Sequence, residues 1–122
     1  MKKFDLEDRL INFSVAVLDF SEKMPDTKAS THLCGQLIRS ATAPALVYGE
    51  ANAAESPSDF VHKMGVALKE LRETHNCLRI IQLKKYFGEA APIEQLINEC
   101  KQLIRIFGAS INTVKMRNQL KP

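Results

Sequence analysis

The 122-residue chain has no tryptophan, only two tyrosines and no long uninterrupted run of apolar residues. A membrane-spanning helix needs about 20 consecutive, mostly apolar residues, so the sequence predicts no span. The amino terminus turns acidic within a few residues and lacks the apolar core of a signal peptide. We therefore expect a cytoplasmic protein without a membrane partner.

Cysteine, glycine and proline are also sparse. The three cysteines (Cys34, Cys77 and Cys100) form no C-x-x-C pair, and each falls on or beside an apolar helical stripe. We expect them to be small buried hydrophobic residues, with reactive thiols as the less favoured alternative. The five glycines and five prolines lie mostly between periodic segments, which leaves long stretches free for helix. The prediction is a single all-α domain over residues 1–122.

Four segments carry apolar residues at alternating spacings of four and three, the pattern of an amphipathic helix. They predict helices at about 5–24, 30–54, 57–86 and 92–119. In the first helix, we expect Ile11, Val15 and Leu18 to widen the core-facing side. Because the connections are short, successive helices should be antiparallel, which gives an up-down-up-down four-helix bundle.

The ends of these helices have recognisable signals. Ser56 is placed to cap the third helix, with Pro57 at its first position. The second helix is expected to begin near Ser30 or Thr31. Gly88 is predicted to form the left-handed cap after the third helix.

Pro44 falls inside the predicted second helix. Proline removes one backbone donor and crowds the preceding turn, which predicts a kink. The apolar residues Leu46, Val47 and Tyr48 resume the helical pattern after it, so we expect the helix to continue.

No metal or nucleophilic site is apparent in the pattern. A di-metal bundle site needs Glu-x-x-His on two helices, and none of His32, His62 and His75 has a glutamate three residues before it. The glycines are isolated and form no phosphate-binding loop. We expect no catalytic residues, no metal ligands and no cofactor.

A charged cluster in the third helix includes Glu70 and Glu73. Glu73 lies one position from the apolar seam, so we expect it to be partly buried and paired with a cation such as Arg39. An enzyme that uses Glu50, Glu70 and Glu73 is a further hypothesis, which would require a perturbed carboxylate in a cleft.

Charge is unevenly distributed along the chain. Residues 1–55 contain six basic and eight acidic residues, a net of −2, and residues 56–122 contain eleven and six, a net of +5. No acid follows Glu99. This asymmetry is a mild hint of an anionic partner. For the basic carboxy-terminal segment, a solvated tail is the favoured interpretation and contact with nucleic-acid phosphates is the alternative. The candidate nucleic-acid contacts are Lys84, Lys85, Lys101, Arg105, Lys115 and Arg117.

The last two helices carry more apolar residues than one core-facing side needs. Ile80, Ile106 and Leu120 lie outside the main seam. A surplus of this kind is typical of an interface, so we expect self-association.

The run from Leu37 to Ile81 carries a family resemblance. Its matching segments are Leu-Ile-Arg-Ser at 37–40, Pro-Ala-Leu at 44–46, Tyr-Gly-Glu-Ala at 48–51, Ala-Glu-Ser at 54–56, Asp-Phe at 59–60, His-Lys at 62–63 and Leu-Lys-Glu-Leu-Arg-Glu-Thr at 68–74. The run resembles four-helix bundle proteins related to those encoded in intervening sequences of bacterial 23S rRNA genes. The signature residues with structural roles are Arg39, Pro44, Tyr48, Glu50, Phe60, Lys69, Glu70, Arg72 and Glu73.

The resemblance implies a bundle that assembles into a homopentamer, often with a central channel. The same fold occurs in the accessory protein of diversity-generating retroelements, a basic pentamer that associates with a reverse transcriptase and nucleic acid. The resulting hypothesis is a non-enzymatic oligomeric scaffold or adaptor for RNA, DNA or a ribonucleoprotein. The alternative is a protein–protein interaction module that binds no nucleic acid.

Overall fold

The computed structural model describes residues 5–85 and 91–119, and nearly all of them are helical. The four helices are α1 (Leu6–Glu22), α2 (Lys28–Asn52), α3 (Pro57–Lys84) and α4 (Ala91–Gln119). The described ranges contain no β-strand. The all-α class and the four predicted helices are confirmed.

The helix starts show which residues act as caps. The Ser56 hydroxyl accepts a hydrogen bond from the Asp59 amide at 3.0 Å, with Pro57 at the first helical position, as predicted. In α2 the cap is Thr27, whose hydroxyl accepts from the Ser30 amide at 3.1 Å. The expected start at Ser30 or Thr31 was therefore wrong, because Thr27 already satisfies the free amides of the first turn.

The end of α3 is also set by its cap. Lys85 adopts a left-handed conformation with φ 59°, and its amide donates to the carbonyls of Ile81 and Gln82. The predicted cap, Gly88, lies outside the described residues. In α2 the helix runs through the buried Pro44 and continues to Asn52, as expected. The kink at Pro44 stays a prediction.

Each helix packs against its neighbours in sequence, and α1 closes the bundle against α4. The α2–α3 contact is the most extensive and the α1–α4 contact is the smallest. Within the described residues, the backbones of the diagonal pairs α1–α3 and α2–α4 do not approach closely, although the rings of Tyr48 and Phe107 meet across the core between α2 and α4. This is the arrangement of an up-down-up-down four-helix bundle.

The core is formed by the predicted four-three seams. Its largest fully buried apolar side chains are Leu10, Val17, Leu37, Met64, Leu71, Leu78, Ile81, Leu103 and Phe107. Each such burial contributes about 1.5–3 kcal/mol of transfer free energy, so the seams are the main source of stability.

One expectation about α1 was wrong. Ile11, Val15 and Leu18 do not widen the core-facing side but are 46%, 50% and 37% exposed. They lie about 100° or more around the helix from the fully buried Val17, at 100° per residue. Of the predicted surplus residues, Ile80 is 52% exposed, Ile106 packs partly against the core, and Leu120 lies outside the described residues.

The cysteines are free thiols, and two of them are buried. Burial raises the pKa of Cys77 to about 11 and that of Cys100 to about 12. Both thiols are therefore protonated at neutral pH, which fits small hydrophobic residues and not nucleophiles. Cys34 is partly exposed and lies 3.7 Å from the Ser21 carbonyl oxygen.

Candidate nucleic-acid interface

A cleft of about 360 Å³ opens between α3 and α4. We call it the α3–α4 cleft; its lining residues are Arg72, His75, Asn76, Lys101, Ile104 and Arg105. On each helix these residues follow spacings of three and four, so they lie on one side of that helix. The cleft therefore joins two predicted nucleic-acid contacts on α4 to basic residues of α3.

The register between α3 and α4 brings the two sides of the cleft to the same height. The Cys100 thiol donates to the Leu71 carbonyl at 3.2 Å, and both residues are fully buried. The next residue in each helix, Lys101 and Arg72, points out toward the cleft. Core packing thus positions cations that are 29 residues apart in sequence.

The cleft is positively charged. Arg72, Lys101 and Arg105 are exposed, and none of them forms an ion pair with another described residue. No carboxylate is among the residues that line the cleft. Three uncompensated cations around a concave surface attract an anion such as phosphate.

His75 is a partly buried titratable group in the cleft wall. Its Nε2 atom is buried and has no hydrogen-bond partner among the described residues. Burial lowers the pKa of His75, and the positive charges of Lys101 and Arg79 lower it further. The imidazole is therefore neutral at pH 7 in the free protein.

The other predicted contacts are spread along the bundle. Lys84 and Lys85 lie at the end of α3, and both are exposed. Lys115 and Arg117 lie near the end of α4, the former about 21 Å along the helix from Lys101 at 1.5 Å per residue. The structure places none of these four in the α3–α4 cleft.

Sequence reasoning missed the α3 side of the cleft. It gave Arg72 only a structural role and treated His75 only as a possible metal ligand. A stripe of Arg72, His75, Asn76 and Arg79, spaced at three, four and seven, is visible in the sequence. The stripe alone does not show which part of α4 it faces.

The charged cluster of α3 forms an ion-pair clamp with α2. Arg39 contacts Glu70 at 2.9 Å and also bonds Glu73, which confirms the expected partner. The hydrogen bond that Arg39 donates to Glu73 and the charges of both glutamates raise the pKa of Arg39. Glu70 has a side-chain exposure of 17%, whereas Glu73, which we expected to be partly buried, is exposed at 44%.

Other signature residues also join helices. Glu50 pairs with Lys63 at 3.0 Å across α2 and α3. The rings of Tyr48 and Phe107 meet edge to face with centroids 6.0 Å apart. Phe60 packs partly against the core, and Lys69 is exposed.

A larger groove of about 630 Å³ lies between α1 and α4. Phe13, Phe20 and Leu96 contribute its apolar wall, while Asp19, Lys23 and Glu99 carry charges of both signs. With a mixed rim, the groove lacks the uniform positive charge of the α3–α4 cleft.

Two further findings limit the chemistry of the described residues. They contain no group of three or more histidine, cysteine, aspartate or glutamate side chains placed to hold a metal ion. Among their helices, none has the length and apolarity to cross a membrane.

Comparisons with known proteins add a family and a fold. A family model described as 23S rRNA-intervening sequence protein matches residues 2–109. A crystal structure of a protein of unknown function from the S23 ribosomal protein family of Bacteroides thetaiotaomicron VPI-5482 is similar, with a TM-score of 0.81. The match has 23% identity and covers 88% of this chain and 98% of that one, so it shows the fold alone. No curated protein matches the chain.

Proposed function

The chain belongs to the 23S rRNA-intervening sequence protein family, and from that premise we propose that it is a non-enzymatic scaffold or adaptor that binds RNA or DNA. The observation that carries the proposal is the α3–α4 cleft with its three unpaired cations. Lysine and arginine side chains bind nucleic acid chiefly through backbone phosphates, without reading sequence. A scaffold for a ribonucleoprotein needs contacts of this kind.

A role without catalysis is supported by the state of the carboxylates. Glu70 and Glu73 pair with Arg39, and Glu50 pairs with Lys63. An ion pair that joins two helices engages the carboxylate in a structural contact. These residues therefore fit helix-to-helix contacts better than chemistry.

Repetition of the cleft in an oligomer would strengthen the interaction. A homopentamer, as the family resemblance implies, would present five copies of the cleft to one nucleic acid. Linked sites raise the overall affinity well above that of one site when the geometry lets them bind together. A modest positive charge on each subunit would then be sufficient for the oligomer to bind nucleic acid.

The proposal is tested by RNA binding at low and high salt. We expect a labelled mixed-sequence RNA to bind in low salt and to dissociate as salt is added, because phosphate contacts release counterions. The double variant Lys101→Glu, Arg105→Glu should weaken binding at least about tenfold and reduce the dependence on salt. Fluorescence anisotropy measures both quantities.

The matched control is Lys28→Glu, which changes charge at an exposed position in the first turn of α2, away from the cleft. It should bind nearly as well as the unchanged protein. Absence of RNA and DNA binding at low salt, or equal losses in Lys28→Glu and the cleft variant, would refute a role for the cleft.

A second candidate is a protein–protein interaction module without nucleic-acid binding. It is favoured by the exposed row of Ile11, Val15 and Leu18 on α1. An apolar row of this kind suits a partner helix or a second copy of the chain. If the cleft variant binds its cellular partner normally while RNA binding is lost, this second function is the better account.

A further inference from the structure

We propose that the α3–α4 cleft takes up one backbone phosphate and that His75 supplies it with a proton-dependent hydrogen bond, so that RNA binding tightens as the pH falls below neutral. The inference rests on the proposed nucleic-acid binding. It adds that the recognised group is a backbone phosphate and that the affinity for RNA depends on pH. The argument depends on the size of the cleft, on the unpartnered atom in its wall and on the surrounding charges.

The cleft is large enough to admit a backbone phosphate group. About 360 Å³ corresponds to roughly a dozen water molecules at about 30 Å³ each. A phosphodiester group can enter such a space, whereas a nucleic-acid helix must stay outside it. Arg72 approaches from α3, and Lys101 and Arg105 approach from α4, so cations reach the anion from two helices.

The Nε2 atom of His75 lacks a partner in the free protein. A buried polar atom left without a hydrogen bond is unfavourable. A neutral imidazole donates from only one ring nitrogen, but a protonated imidazole donates from both. A phosphate oxygen in the cleft accepts such a bond once the imidazole turns to bring the buried Nε2 atom to the cleft surface, and bonds between charged partners are the stronger kind.

The groups around His75 make its protonation sensitive to an anion. Arg72 and Arg79 lie on the same side of α3, and Lys101 and Arg105 face it from α4. The charged residues that contact α2, namely Glu70 and Glu73 with Arg39 and Lys63 with Glu50, lie on another side of α3. Glu73, for example, is 200° from His75 at 100° per residue.

The direction of the pH effect follows from these charges. In the free protein the pKa of His75 is lowered, mainly by burial and also by Lys101 and Arg79. A bound phosphate offsets the positive charges and favours the imidazolium, so the pKa is higher in the complex than in the free protein. Binding then takes up a proton, and the affinity rises as the pH falls between the two pKa values.

The test compares RNA affinity from pH 7.5 to pH 5.5 at constant ionic strength, with a labelled 20-nucleotide RNA of mixed sequence as the probe. The unchanged protein should bind several-fold more tightly at the lower pH, with at most about a tenfold gain per pH unit for one proton. His75→Gln keeps a polar side chain but cannot titrate in this range, so its affinity should be nearly independent of pH. His62→Gln, at an exposed position of α3 outside the cleft, should keep the full response.

A second measurement covers the case in which His75→Gln fails to fold. NMR titration of the His75 ring in the unchanged protein, with and without the same RNA, should show a higher pKa in the complex. If RNA binds with the expected salt dependence but His75→Gln keeps the pH response, or if the RNA leaves the His75 pKa unchanged, the inference is wrong and the proposed function stands. If RNA binds at neither pH, both are wrong.

Discussion

Thr74 and Ser40 show how single polar residues fix the packing of this bundle. Both are fully buried between α2 and α3, and their hydroxyl oxygens lie 2.8 Å apart. The Thr74 hydroxyl also lies 2.9 Å from the Glu70 carbonyl oxygen, while Ser40 has only a longer contact of 3.4 Å to the Leu37 carbonyl. Ser40 therefore depends on Thr74 for its short hydrogen bond.

Replacement of Thr74 by valine should destabilise the fold. Thr74→Val keeps the side-chain shape but leaves the buried Ser40 hydroxyl without its short bond, at a cost of roughly 1–3 kcal/mol in the free energy of unfolding. Urea denaturation followed by circular dichroism measures the change. The double variant Ser40→Ala, Thr74→Val should cost less than the sum of the two single changes, because no orphaned hydroxyl remains.

Thr113→Val is the matched control for this experiment. The Thr113 hydroxyl makes the same bond to the carbonyl four residues earlier, at 2.9 Å, but lies on an exposed part of α4. Its loss should change stability by no more than about 0.5 kcal/mol. Equal effects at positions 74 and 113 would show that the buried pair adds nothing specific.

Among the helices, α1 has the weakest contact with one of its neighbours, α4. Its contact with α4 is the smallest helix–helix contact of the bundle, and a groove of about 630 Å³ opens there. Arg9 bridges the two helices through bonds of 2.8 and 2.7 Å to the two carboxylate oxygens of Glu99, and it also bonds Gln102. The bond to Glu99 raises the pKa of Arg9, which keeps the guanidinium charged at all physiological pH values.

Removal of the Arg9 bridge should loosen α1 before the rest of the bundle. Arg9→Met keeps an unbranched apolar chain but loses the charged hydrogen bonds, so global stability should fall by only about 1 kcal/mol or less for this partly exposed pair. Hydrogen exchange should accelerate more in the α1 amides than in those of α3, since local opening follows the weakest contacts. Lys28→Met serves as the control and should leave α1 exchange unchanged. Uniform acceleration in all four helices would contradict a local role for Arg9.

At the scale of the whole molecule, two kinds of surface are spatially separate. The apolar row of Ile11, Val15 and Leu18 lies on α1, whereas the basic cleft lies between α3 and α4. The α1 and α3 helices do not approach each other. The proposed oligomer can therefore use the apolar row for contacts between subunits and leave the cleft open to nucleic acid.

The proposed pentamer predicts a solution mass of about five times 13.7 kDa by light scattering. Val15→Glu places a charge in the middle of the apolar row and should shift the mass toward that of one chain, since a buried unpaired charge is costly. Val66→Glu, at another partly exposed valine on α3, is the control and should keep the oligomer. A strict monomer for the unchanged protein would remove both the ring and its repeated cleft.

The helices and most of the residues that fill the core follow from the sequence alone. Ser56 with Pro57 marked the start of α3, and the four-three seams identified the buried residues, because these features depend on neighbours within a turn or two. The sequence also placed Lys101 and Arg105 on one side of α4. It placed Ile11, Val15 and Leu18 on the apolar side of the first helix but did not show that they are exposed, because periodicity does not indicate how much of a helix its neighbours cover.

Which helices face each other, and at what register, depends on the tertiary structure. Arg72 and His75 meet Lys101 and Arg105 only because Leu71 and Cys100 pack at the same height in the core. The start of α2 after Thr27, ahead of the predicted start near Ser30 or Thr31, has a local cause, but the cleft has none. Its residues are brought together by the burial of apolar seams on two separate helices. The spacing of residues along one helix does not show how that helix packs against the other.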